Sequence, residues 1–179
     1  MKRHVALVGF MASGKSTIGR KLARKLGWPF FDTDALVVRE HGPIPAIFET
    51  EGEAAFRRYE QAAIAAVLGN AEASVVALGG GALTTTENRS LLRDRAYRVF
   101  IKISAEQIFA RVRRSRETRP VLGHAPTLAR IRELYSLRMP AYESADRVVE
   151  ASRRSDQSVI AEIVEWLNEK KLDVGRVAS

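Results

Sequence analysis

The chain predicts an α/β fold in which helices flank a five-stranded parallel sheet on both faces. Three observations carry that prediction. Five short segments, Val5–Val8, Pro29–Asp32, Ser74–Leu78, Tyr97–Ile103 and Asp146–Glu150, read as buried strands, with longer stretches of helical spacing between them. Such alternation is what parallel strands joined by crossover helices leave in a sequence. The first segment runs directly into a glycine-bounded loop, Gly9-Phe10-Met11-Ala12-Ser13-Gly14-Lys15-Ser16-Thr17, and Ile18, Leu22 and Leu26 then recur every four residues, as on one helix face.

Taken in order, the first helix is expected from Lys15 or Ser16 to Lys25, closed by Gly27 as a C-terminal cap. Arg20, Lys21, Arg24 and Lys25 face away from its apolar stripe. A second helix is expected over Asp34–Glu40. The prolines of His41-Gly42-Pro43-Ile44-Pro45 make a continuous helix unfavourable there, so helix resumes only around Ala46–Glu49. Gly52–Leu68 carries a long helical pattern through Phe56, Ala63, Ile64 and Val67. Ser104 is a good N-cap for a helix over Ala105–Arg114, and a last helix is expected over Gln157–Lys171. No repeat or linker divides the chain, so one domain is expected, with a flexible tail over about 172–179.

Composition narrows the function classes. Hydrophobic residues make up 46% and charged residues 28%, ordinary for a globular protein. The absence of cysteine excludes disulfides, thiolate metal sites and a cysteine nucleophile. The apolar run after Lys2-Arg3-His4 is short and ends in the glycine loop, so it reads as a core strand, not a leader. No stretch approaches the roughly 20 apolar residues of a membrane span, and a cytoplasmic location is the expectation. The net charge of +8 suits small anionic substrates or nucleic acid. No aromatic-glycine RNA-binding signature or zinc-finger spacing accompanies it, so no nucleic-acid partner is expected.

The loop matches G-x-x-x-x-G-K-S between a strand and a helix, a context that a chance match lacks. Glycines let backbone N–H groups turn inward, the helix N-terminus adds its dipole, and Lys15 reaches the outer phosphates. Ser16 is placed to offer a hydroxyl to Mg²⁺. The chain is therefore expected to bind a nucleoside triphosphate.

Such proteins need an acid near the metal. The segment Ser74–Leu78 ends in Gly79-Gly80-Gly81 without one, and the clean apolar-then-acid pattern is Phe30-Phe31-Asp32-Thr33-Asp34. On an extended strand end the two carboxylates point the same way, so one can support Mg²⁺ while the other orients or deprotonates a hydroxyl. The alternative, for Asp34 taken alone, is that it caps the next helix. Three successive glycines imply close backbone approach by a ligand. Glu60 lies three residues after Arg57 and can hold its guanidinium as a fork for a carboxylate, although spacing alone favours an ordinary solvated helix pair. Arg111 to Arg119 holds five arginines in nine residues, before a stretch broken by Pro120, Gly123 and Pro126. An arginine-bearing lid over about 112–126 can exclude water and neutralise charge on a transferred group.

With these pieces in order the chain resembles the shikimate kinase family over most of its length. The shared markers are Gly-Phe-Met-x-x-Gly-Lys-Ser-Thr, Asp32-x-Asp34, Phe56-Arg57-x-x-Glu60, Gly79-Gly80-Gly81, Arg119-Pro120 and Arg138-x-x-x-Tyr142. The resemblance implies the P-loop nucleoside-monophosphate-kinase fold, three layers around a sheet of order 2-3-1-4-5, and ATP-dependent phosphorylation of the shikimate 3-hydroxyl. It implies that Ala12, Ser13, Gly14, Lys15, Ser16 and Thr17 hold the ATP phosphates, with Mg²⁺ on Ser16 and near Asp32. By the same resemblance Asp34 binds the attacking hydroxyl, Arg57 and Arg138 grip the carboxylate, and Gly79, Gly80 and Gly81 line the ring. Arg119 becomes the lid arginine, Arg154 lies by position against the adenine, and a monomer is expected. The segment Gly42–Phe48 is one residue shorter than the usual form and carries two prolines, which bears on Phe48 as a ring contact. A related kinase such as a gluconate kinase, and a nucleotide-gated nucleic-acid binder, are the competing readings.

Overall fold

The computed structural model describes residues 2–115, 120–123 and 126–170. Its five strands are β1 (His4–Val8), β2 (Phe30–Asp32), β3 (Val75–Ala77), β4 (Ala96–Lys102) and β5 (Arg147–Glu150). They form one parallel sheet in the order β2-β3-β1-β4-β5, with Val5 beside Val75 on one side and Tyr97 on the other. Every residue of β1 is buried. Successive side chains of a strand point to opposite faces, so both faces at the centre of the sheet are covered.

The cover comes from α1 (Lys15–Leu26), α2 (Thr33–His41), α3 (Ile44–Thr50), α4 (Glu53–Gly69), α5 (Thr86–Arg95), α6 (Ala105–Arg114), α7 (Leu128–Glu143) and α8 (Asp156–Glu169). α1 packs on β3 and α8, α5 on β4 and α4, and α6 on α7. Ile18, Leu22 and Leu26 are buried as their spacing requires, and Gly27 closes α1 at φ 68°. Ser104 caps α6 by accepting from the Gln107 N–H at 3.2 Å. A second, smaller core of Val37, Ile47, Phe56 and Ala63 joins α2, α3 and α4 into the wall opposite the glycine loop.

Two expectations change. α3 starts at Ile44, two residues before the expected resumption of helix. Pro45 is tolerated there because the first helical turn has no partner for the N–H that proline lacks. β2 ends at Asp32 and α2 begins at Thr33, so Asp34 stands in a first helical turn, not on an extended strand end. α5 and α7 had no assigned bounds, and α7 runs through Pro140 with Ile131, Tyr135 and Tyr142 buried. The tail over 172–179 lies outside the described residues.

His4 is fully buried at the start of β1, with Nδ1 2.8 Å from Ser74 Oγ. Burial holds its imidazole below the usual histidine value of 6.5. The fold therefore favours the neutral ring. The stability this gives is present above the unfolded pKa and is lost as pH falls through the folded one. His4→Gln is expected to flatten the fall of Tm on acidification below about pH 6.5. Thermal scans of both proteins across that range test this, and parallel curves would refute it.

Candidate active site

The glycine loop, Asp32 and the three glycines all leave carboxyl ends of neighbouring strands, where open α/β sheets form their crevice. One cavity of about 980 Å³ occupies that edge. Its walls include Ala12, Gly14, Lys15, Ser16, Thr17, Asp32, Asp34, Arg57, Gly80, Gly81 and Arg138, so most of the expected site residues share one space.

The loop folds back on itself. Gly9 stands at φ 144°, where an added Cβ would lie 2.8 Å from the Ile101 carbonyl, and Ala12 at φ 59° is one of the few non-glycine residues with positive φ. Gly14 precedes α1 without any side-chain cap, and a helix N-terminus of this kind suits an anion. Lys15 is 7% exposed and donates to the Gly9 and Phe10 carbonyls at 2.9 and 2.8 Å. Ser13 is buried behind the loop. Arg111, from α6, donates to the Ala12 carbonyl at 3.0 Å and adds a guanidinium to the cavity wall.

Asp32 is the N-cap of α2. Its Oδ1 accepts from the Asp34 and Ala35 N–H groups at 3.1 and 3.3 Å, while Oδ2 accepts from Ser16 Oγ at 2.5 Å. The cap of α2 is therefore Asp32 and not Asp34, for which capping is the alternative reading of the sequence. The two acids share the cavity because a strand turns into a helix between them, not because of strand periodicity. A hydroxyl and a carboxylate held together at the mouth of a phosphate loop are hard oxygen donors of the kind Mg²⁺ takes. Among the described residues there is no group of three or more His, Cys, Asp or Glu that could hold a metal ion.

The three glycines are explained by the protein's own groups. A Cβ on Gly79 would strike Asp34 Oδ1 at 2.5 Å and the Glu60 carboxylate beside it. On Gly80 it would sit 2.9 Å from the Met11 nitrogen, and on Gly81 it would enter the Arg57 guanidinium, 2.6 Å from Nη2. Gly79 also spends its N–H on Thr33 Oγ1 at 3.0 Å, so only Gly80 and Gly81 reach the cavity surface. Thr33 is fully buried, and sequence reasoning passed over it between its two acidic neighbours.

Arg57 lies between Glu53, at 2.9 Å, and Glu60, at 2.9 Å. Glu60 is fully buried, which makes this pair a built feature of the site. Burial pushes the Glu60 carboxyl above the usual range in spite of the attraction of Arg57. Arg138, from α7, donates to the Gly80 carbonyl at 3.1 Å and lies over the Phe10 ring at 5.5 Å. The apolar wall is Val38, Pro43, Ile44, Pro45, Phe48 and Phe56, so the short proline-bearing segment does face the cavity, with Phe48 on Phe56 at 5.1 Å.

Among the described residues, the expected Ser13, Gly79 and Arg154 do not line the cavity. Arg154 is held by Glu162 at 2.6 Å, the Glu150 carbonyl at 3.0 Å and Ser158, and it is not among the cavity-lining residues. Asp156, ion-paired to Lys21 at 2.6 Å, lines the cavity near there instead. Arg119 lies outside the described residues, although Pro120 and Val121, just after it, line the cavity.

A parallel sheet of this order with a phosphate loop after its first strand defines a P-loop kinase. The shikimate kinase family matches residues 11–168, and the chain belongs to that family. It is 41% identical over 170 residues to the shikimate kinase of Dechloromonas aromatica (strain RCB), covering 93% of this chain and 91% of that protein. Among solved structures, shikimate kinase from Acinetobacter baumannii in complex with shikimate superposes with a TM-score of 0.88 at 33% identity, covering 96% of each chain. A gluconokinase from Sinorhizobium meliloti 1021 has a TM-score of 0.59 at 19% identity over 96% of this chain, which shows the fold alone.

Proposed function

We propose that this chain transfers the γ-phosphoryl group of ATP to the 3-hydroxyl of shikimate, giving 3-phosphoshikimate and ADP on the route to chorismate and aromatic amino acids. The observation that carries the reading is the pair of guanidiniums, Arg57 and Arg138, set at Gly81 and Gly80 in the cavity that also holds the phosphate loop. Two forked cations suit a carboxylate, and gripping it fixes the ring so that its hydroxyl meets the phosphate in line.

In this reading Lys15, the loop amides and Arg119 carry the charge of the moving phosphoryl group. Ser16 and Asp32 would hold Mg²⁺, which would supply charge neutralisation on the phosphates. Asp34 takes the hydroxyl proton or orients the hydroxyl. Cytoplasmic location, a monomeric single domain with a lid over about 112–126, and the absence of a nucleic-acid partner belong to the same proposal. No helix among the described residues is long and apolar enough to cross a membrane.

A coupled ADP-release assay with shikimate, gluconate and nucleoside monophosphates tests the reading. Turnover of shikimate is expected, and robust turnover of gluconate with none of shikimate would overturn it. Asp34→Asn divides the two roles of Asp34. Loss of kcat by about 10²-fold or more marks a base, and appreciable turnover with an unchanged pH profile marks an orienting group.

A further inference from the structure

Arg138 and Tyr142 stand one turn apart on α7, and the proposed reaction uses only the first. Tyr142 is 2% exposed, its ring stacked on Phe100 at 5.1 Å and tilted against Tyr135 at 6.3 Å. A phenol buried among rings needs a partner for its hydroxyl. That hydroxyl donates to the Gly80 carbonyl, the same oxygen that accepts from Arg138 Nη1. One carbonyl of the glycine turn therefore takes two donors from one face of α7.

Two consequences follow. Gly80 has no side chain to fix its peptide, and a Cβ there would crowd the Met11 nitrogen at 2.9 Å, so hydrogen bonds set the orientation of the turn. Because the peptide is planar and trans, holding the Gly80 carbonyl toward α7 sends the Gly81 N–H the opposite way. The second consequence concerns Arg138. If it turns to an acceptor carboxylate it leaves the Gly80 carbonyl, and a half-buried carbonyl stripped of both donors loses the hydrogen bonds that orient it. The Tyr142 hydroxyl keeps that oxygen satisfied. Burial pushes the phenol up to about 12, so it remains a donor throughout the neutral range.

We propose that Tyr142 is a positioning residue for the acceptor: it holds the Gly80 carbonyl so that Arg138 can release it and turn to the substrate carboxylate. The inference rests on the reading of Arg138 as a carboxylate ligand. Glu60 and Arg57 face the same region but hydrogen-bond to each other, so neither replaces the hydroxyl.

Tyr142→Phe keeps the ring on Phe100 and removes only the oxygen. It is expected to raise the shikimate KM about tenfold while the ATP KM and kcat stay within about twofold. A merely structural role would instead move both KM values and kcat together, or none of them, and either result overturns the proposal. Arg138→Lys and the double variant supply the second measurement. Because Tyr142 acts through Arg138, the two effects on shikimate KM are expected to be less than additive. Full additivity also overturns the proposal. If Arg138→Lys raises the shikimate KM while Tyr142→Phe does not, the inference falls and the carboxylate reading stands. If Arg138→Lys leaves the shikimate KM unchanged, the carboxylate reading falls first.

Discussion

Lys15→Ala is expected to lower kcat by about 10³-fold while the shikimate KM changes less than about threefold. The ammonium is nearly buried and is already held in the loop by two carbonyls, so little reorganisation is needed to meet a phosphate. In the loose transition state of phosphoryl transfer, charge spreads over the equatorial oxygens, and a fixed cation stabilises it more than mobile water does. Lys15→Arg is not a conservative repair, because a planar fork cannot enter a space shaped for a compact ammonium between the Gly9 and Phe10 carbonyls. Arg57 and Arg138 stay untouched in the acceptor half, which is why the loss belongs to kcat. Steady-state kinetics with shikimate varied at saturating ATP measures the split. Activity within tenfold of the parent would show that the loop amides and Arg119 carry the charge without Lys15.

How much of this was legible beforehand depends on the range of the cause. The phosphate loop, α1 and its Gly27 cap are local patterns, so residue order alone placed them. Likewise α6 announces itself through Ser104 and a clean apolar stripe. α5 does not, because one of its two buried residues is the polar Asn88 and no apolar stripe forms. In α7 the buried positions are sparse and Pro140 contradicts the helical reading. The site divides in the same way. Asp32 and Asp34 were visible as a pair, but which of them caps α2 depends on where β2 stops. Three glycines signalled a close approach, yet the approaching groups, Asp34 with Glu60, Met11 and Arg57, come from 19 to 69 residues away in the chain. Arg154 was placed by position along the chain, and position says nothing of Glu162, which captures its guanidinium. The weight of the Arg57–Glu60 pair was likewise hidden, since spacing cannot tell a solvated carboxylate from a fully buried one.

That burial makes Arg57→Ala the substitution with the widest reach. It is expected to raise the shikimate KM about 10²-fold, since a charge-assisted fork to a carboxylate is lost. It is also expected to cost about 3 kcal/mol of stability at neutral pH, because Glu60 is left buried without its ion-pair partner. The partner Glu53 is exposed and adds little to that loss. The pH dependence has a definite sign. Burial raises the folded pKa of Glu60 above its unfolded value, so its contribution to stability is present below the unfolded pKa and lost as pH rises through the folded one. Removing Arg57 withdraws an attraction that lowers the folded pKa, so the loss continues to higher pH in the variant. The stability gap between parent and Arg57→Ala should therefore be small near about pH 4 and widen toward neutrality, as read by denaturant unfolding at each pH. Adding Glu60→Gln removes the stranded carboxyl and should recover much of the stability without recovering the KM. A double variant that regains shikimate affinity would show that Arg57 serves the fold and not the substrate, and the carboxylate fork would then rest on Arg138 alone.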